Sequence, residues 1–191
     1  MDTKLRTYLR ELEAQLMTVS SEQTLRKTIV NAPFYSKLTA LKMGLGIVVL
    51  LYVNTQRRTI DRIALSNTDF AQHALDMSEK KFHQIRIPLN NQVNIITRAI
   101  KTNQPQFTTN WEYLFVPEMS GEAARFNQAA AGIECSYVYP LFAREGGALI
   151  YSYFLPQIHI TENQQTFMKL YTEMVNRKLS EETAPNMLLQ G

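Results

Sequence analysis

The chain has 191 residues, 45% of them apolar and 10% aromatic, a composition that suits one globular domain with a sizeable core. Its formal charge of +3 comes from Lys and Arg scattered among Asp and Glu, not gathered into the stripe that nucleic-acid binding favours. A single cysteine, Cys135, excludes an intrachain disulfide and any multi-cysteine zinc site.

The N-terminus, "MDTKLRTYLRELEAQL", is charged and helical and lacks the apolar core of a secretory leader. Leu5, Leu9, Leu12, Leu16 and Val19 form an a/d stripe, which suits either a helix packed on its own domain or one that pairs with a second subunit. Ser20 and Gln23 have the spacing of a capping box for a helix over about 21–31, which Pro33 stops. A short helix over 34–43 follows, ended by Gly44.

The most apolar run, "LGIVVLLYV" at 45–53, is far short of the roughly 20 residues a membrane span needs, so a soluble, cytoplasmic protein without membrane contact is expected. With "RTIDRIALSN" it predicts an antiparallel hairpin. Residues 68–81 read as a loop with a helical turn, and "FHQIRIPLN" as a strand that Pro88 ends or places at an edge. A helix capped by Asn90 or Asn91 carries Val93, Ile96 and Ile100 on one face and ends at Asn103 and Pro105. "QFTTNWEYLF" reads as a strand leading into a loop. An Ala-rich helix follows, with Ser120 at its start and Gly132 at its stop. "GIECSYVYPLF" and "ALIYSYFLP" form a hairpin turned by "REGG". The closing helix opens with Thr161 and Gln164 as a capping box and places Phe167, Leu170, Tyr171 and Met174 on one face. Consecutive strands arriving as hairpins predict an α+β fold: a mainly antiparallel central sheet flanked by helices.

This order, with "GLGIVVLLYVNTQRRTIDRIALSN", "IRIPLNNQVNIITRAIKTNQPQF" and "IECSYVYPLFAREGGALIYSYFLP", resembles the GAF family of small-molecule sensory domains. The resemblance implies that the first and last helices pack together on one face of the sheet. A ligand pocket roofed by loops and short helices would occupy the other face, and the terminal helices would form a homodimer. The division expected is an N-terminal helix over 1–20, a sensory domain over 21–180 and a flexible tail over 181–191. With no output module in view, the chain is expected either to be an excerpt of a larger regulator or to act in trans on a downstream signalling protein. No cofactor can be named.

Within that frame, Cys135 shares a strand face with Tyr137 and Tyr139. Its neighbours Glu134 and Ser136 do nothing to lower a thiol pKa, so a structural or pocket-lining role is favoured over a reactive one. Bilin-binding relatives carry a Cys-His pair on a pocket helix, which this strand lacks. Free methionine-sulfoxide reductases use several cysteines. The three histidines, His73, His83 and His159, lack ligand spacing, and no phosphate-binding or nucleophile-elbow motif is present.

The positive signal is aromatic. Trp111, Tyr113, Phe115 and Phe126 lie in the segment that roofs the family's pocket. Tyr137, Tyr139, Tyr151 and Tyr153 lie in the adjoining hairpin, and Arg125 and Asn127 offer polar anchors. The expected function is a non-catalytic sensory domain that binds a small ligand or mediates protein contacts. The alternatives are a thiol-dependent sulfoxide reductase and a ligand-free dimerisation scaffold.

Overall fold

The computed structural model describes residues 2–143, 146–155 and 160–183, with side chains as far as 181. The predicted "REGG" turn lies partly, and His159 and the expected tail beyond 183 wholly, outside the described residues.

Helix α1, Thr3–Met17, starts where the Asp2 side chain accepts a hydrogen bond from the Lys4 amide. Helix α2, Glu22–Asn31, is capped by Ser21, whose hydroxyl accepts from the Thr24 amide. The cap therefore lies one residue beyond the Ser20 expected. After a single 3-10 turn, helix α3, Lys37–Met43, ends at Gly44, which adopts φ 73°. Strands β1, Leu45–Asn54, and β2, Thr59–Leu65, form the first hairpin.

The helical turn expected within 68–81 is an eight-residue helix, α4, Asp69–Asp76, capped by Thr68. Strand β3, Arg86–Pro88, is at the sheet edge, as its proline requires. Helix α5, Ile95–Thr102, is capped by Asn94 and not by Asn90 or Asn91. Val93 consequently falls outside the helix and is exposed. Strand β4, Gln106–Thr108, leads into the one-turn helix α6, Glu112–Phe115, and then α7, Gly121–Ala130. Strands β5, Cys135–Leu141, and β6, Gly147–Tyr153, form the last hairpin, and helix α8, Glu162–Thr183, closes the domain.

The six strands run in the order β3-β2-β1-β6-β5-β4, every neighbouring pair antiparallel. The α+β architecture is thus the expected one. Gly147 lets β6 approach β1: a Cβ there would sit 2.2 Å from the Leu51 carbonyl oxygen.

Each face of the sheet carries its own core. Against one face, α1, α2 and α8 bury Leu12, Leu16, Leu25, Ile29, Phe167 and Tyr171 completely. Against the other, Ile47, Val49, Ile60 and Ile150 meet α4 to α7 and their loops. Strand β6 is buried along its whole length because both faces are covered.

The leucine stripe of α1 belongs to the first core: Leu5, Leu9, Leu12 and Leu16 are all buried within the chain, against α8 among others. Val19, the fifth residue of the stripe, is half-buried against the same core. The outer faces of α1 and α8 instead present Lys4, Arg10, Lys169 and Glu173.

Candidate ligand-binding site

A cavity of about 50 Å³ lies in the second core, on the face away from the terminal helices. Ile47 and Val49 of β1 and Ile150 and Ser152 of β6 form its floor. Ala74 and Leu75 of α4, Phe82 and Leu114 close it from above. Trp111, Phe115 and Asn127 complete its walls.

The unusual member of this lining is Arg62. Strand β2 carries a bulge against β1: Leu50 pairs with Ala64, but Leu51 pairs with Arg62, leaving Ile63 extra. On this bulged strand Arg62 and Leu65 both line the cavity. Only 8% of Arg62 is exposed, and its Nε and Nη2 have no hydrogen-bond partner. The guanidinium carbon lies 4.5 Å from the ring centre of Phe115 and 5.7 Å from that of Phe82, in cation–π geometry. Among the described residues, the lining contains no carboxylate to balance the charge. Burial pushes the Arg62 pKa down to about 10, so the group remains a cation at neutral pH.

Trp111 is held rigidly. Its indole Nε1 donates to Ser136 Oγ at 2.9 Å, and Ser136 Oγ lies 2.8 Å from Ser152 Oγ. The Trp111 amide donates to Gln128 Oε1 at 2.8 Å. Gln128 Nε2 in turn donates to the Thr109 and Ile133 carbonyls, at 3.0 and 3.1 Å, tying α7 to the ends of the flanking segments.

The residues singled out in the sequence divide between three places. Trp111, Phe115 and Asn127 line the cavity. Tyr113 and Phe126 are exposed, and Arg125 pairs with Glu112 at 2.7 Å on the surface. Cys135, Tyr137, Tyr139, Tyr151 and Tyr153 all belong to the core beneath the terminal helices. There Tyr139 meets Tyr151 edge-to-face, Tyr151 meets Phe167 in the same way, and the Tyr151 hydroxyl lies 2.8 Å from Thr172 Oγ1. The sheet stands between these five residues and the cavity, because strand alternation sends Ser136 and Ser152 to the cavity side.

Arg62 and Gln128 were not among the expected site residues. One signal for Arg62 was present: it shares strand parity with Ile60, so a charge stands on the apolar face of β2.

Cys135 is 1% exposed, and burial, with the Glu134 charge adding to it, pushes its thiol up to about 11. Thiolate is the reactive form, so Cys135 is expected to resist a thiol-titrating disulfide reagent in the native protein and to react stoichiometrically in denaturant. Rapid labelling without denaturant would contradict this burial. Among the described residues, no three His, Cys, Asp or Glu side chains gather as metal ligands, and no helix is long and apolar enough to cross a membrane. His83 instead places Nδ1 3.2 Å from the Arg62 carbonyl oxygen. A wider open groove of about 1230 Å³ runs between α1, α3 and the start of α8, but no buried unpartnered polar atom is among its described lining.

At the level of sequence, no family model and no curated protein matches this chain. Solved structures do. The GAF domain of an Acinetobacter phosphoenolpyruvate-protein phosphotransferase superposes with a TM-score of 0.65 at 11% identity, covering 98% of this chain and 99% of that one. The GAF domain of a two-component sensor histidine kinase from Bacillus halodurans gives 0.52 at 13% identity, covering 76% and 89%. Free methionine-R-sulfoxide reductase from Neisseria meningitidis, solved with its substrate, gives 0.57 at 12% identity, covering 95% of each chain. The six-stranded antiparallel sheet with its flanking helices has the fold of these proteins: in fold, this chain is a GAF-like domain.

Proposed function

We propose that the chain is a cytoplasmic, non-catalytic sensory domain. A small ligand enters the Arg62 cavity, and the terminal-helix layer conveys its occupancy to a downstream signalling protein. The observation that carries this reading is a cavity lined by a buried cation, two of whose N–H groups have no hydrogen-bond partner, on a fold shared with a sensor-kinase domain. A ligand there contacts the floor strands β1 and β6, whose opposite faces pack on α8 and α2. Occupancy shifts the helix layer only to the extent that the ligand binds one arrangement better than the other.

A thermal-unfolding screen of small polar metabolites tests this reading, with Ala74→Phe as the variant that fills the cavity from its roof. At least one compound is expected to raise the unfolding midpoint of the native sequence and to leave that of Ala74→Phe unchanged. A screen without any response, or a response that survives Ala74→Phe, would overturn it.

The small volume of the cavity favours a second reading, a roof packed down on its own aromatic side chains with a purely structural role. The screen without responses selects that reading. The sulfoxide-reductase alternative has the likeness to the Neisseria enzyme in its favour, but Cys135 lies across the sheet from the cavity. Sulfoxide turnover abolished by Cys135→Ser would establish it.

A further inference from the structure

We propose that Arg62 binds the carboxylate of a two-carbon organic acid carrying a hydroxyl or amino donor, inside the cavity. This rests on the ligand-binding reading above and names the chemical class of the ligand.

The geometry of the guanidinium carries the carboxylate. Nε and Nη2, the two partnerless atoms, share one edge of the planar group, and that edge presents two parallel N–H donors at the spacing of two carboxylate oxygens. A buried cation without a counter-charge is unfavourable in an apolar wall of Ile47, Val49, Leu114 and Ile150. An anion docked on that edge removes the imbalance. Phosphate or sulfate would bring four oxygens to a site offering one charged fork, leaving buried oxygens without donors.

Asn127 supplies the second element of recognition. It is 2% exposed, and its Oδ1 accepts no hydrogen bond although the residue lines the same cavity. An unpaired acceptor selects a ligand with an O–H or N–H group. Size then sets the limit. At roughly 10–15 Å³ per water-sized position, the cavity of about 50 Å³ holds about three to five heavy atoms. Glycolate and glycine are at the upper end of that range. Nucleotides and tetrapyrroles are far beyond it.

The test uses the full chain and four probes at matched ionic strength: sodium glycolate, sodium acetate, glycolamide and sodium chloride. Binding is read from the unfolding midpoint and from the fluorescence of Trp111, the only tryptophan and a wall of the cavity. Glycolate is expected to bind about fivefold more tightly than acetate, the worth of one neutral hydrogen bond. Glycolamide and chloride are expected to have no effect.

Arg62→Met should abolish the glycolate response while leaving an unliganded midpoint no lower than that of the native sequence, since an unpaired buried charge has gone. Arg62→Lys, which keeps the charge but loses the fork, should weaken glycolate by about tenfold, and it decides the matter if Arg62→Met does not fold. Chloride or glycolamide acting as well as glycolate would overturn the assignment, as would a glycolate response that survives both Arg62 variants. A neutral compound whose effect is lost in Ala74→Phe but kept in Arg62→Met would leave the sensory reading standing and remove the carboxylate. No response to any compound would remove both.

Discussion

Leu12→Ala is expected to lower the unfolding free energy by about 3 kcal/mol, within the ~2–5 kcal/mol range for a fully buried leucine truncated in a core that cannot collapse around it. Leu12 is 0% exposed, in the middle of α1, within the core shared by α1, α2 and α8. The effect is large beside the ~5–15 kcal/mol that holds a typical domain together. Urea unfolding followed by circular dichroism measures it, and an unchanged slope with denaturant would attribute the loss to the native core. Arg10→Ala, on the exposed side of the same helix, should stay within ~0.5 kcal/mol. A stripe used instead for pairing with a second copy would give a different result. Leu12→Ala would then leave the monomer's stability intact and change the sedimentation behaviour, which would refute the intramolecular seam.

The same stripe illustrates what a sequence can and cannot disclose. The spacing of Leu5, Leu9, Leu12 and Leu16 fixes a helix and its buried face from local geometry alone. What covers that face is α8, more than 140 residues later, where Arg177 pairs with Glu13 across the seam. Such a contact leaves no local trace. Strand β5 behaves in the same way. Alternation correctly places Cys135, Tyr137 and Tyr139 together, but both faces of the strand are covered, so polarity gave no clue to which layer they join.

The site was legible only in part, for a related reason. Trp111 and Phe115 stood out because they are large and aromatic in a short segment. Tyr113 and Phe126, equally aromatic, face outward, since a one-turn helix and a short Ala-rich helix each have an exposed side. Arg62 resembled an ordinary solvent-facing charge in a half-buried strand. Phe82 and Phe115, 20 and 53 residues further along the chain, close over it, and a bulge at Ile63 changes the alternation just beyond it. Burial of that charge is a tertiary event.

Gln128→Leu is the second substitution with a large expected effect, about 3 kcal/mol, even though it preserves size and adds apolar surface. The side chain of Gln128 is 8% exposed and serves as a junction rather than as packing. Its oxygen accepts from the Trp111 amide, and its nitrogen donates to the Thr109 and Ile133 carbonyls. Leucine leaves these buried backbone groups without partners, and each orphan costs ~1–3 kcal/mol. Gln128→Glu retains the acceptor for the Trp111 amide but turns the donating end into an oxygen facing carbonyl oxygens, so it should be at least as disruptive. The sole tryptophan makes the local consequence measurable. Without its amide anchor, Trp111 is expected to loosen from Ser136 and admit water to the cavity wall, shifting its emission to the red at denaturant concentrations where circular dichroism is still native. Unfolding and emission changing together in both variants would mean that Gln128 supports the domain as a whole. An earlier red shift would place its role in holding the roof over Arg62, and in that case glycolate binding should weaken before the fold does.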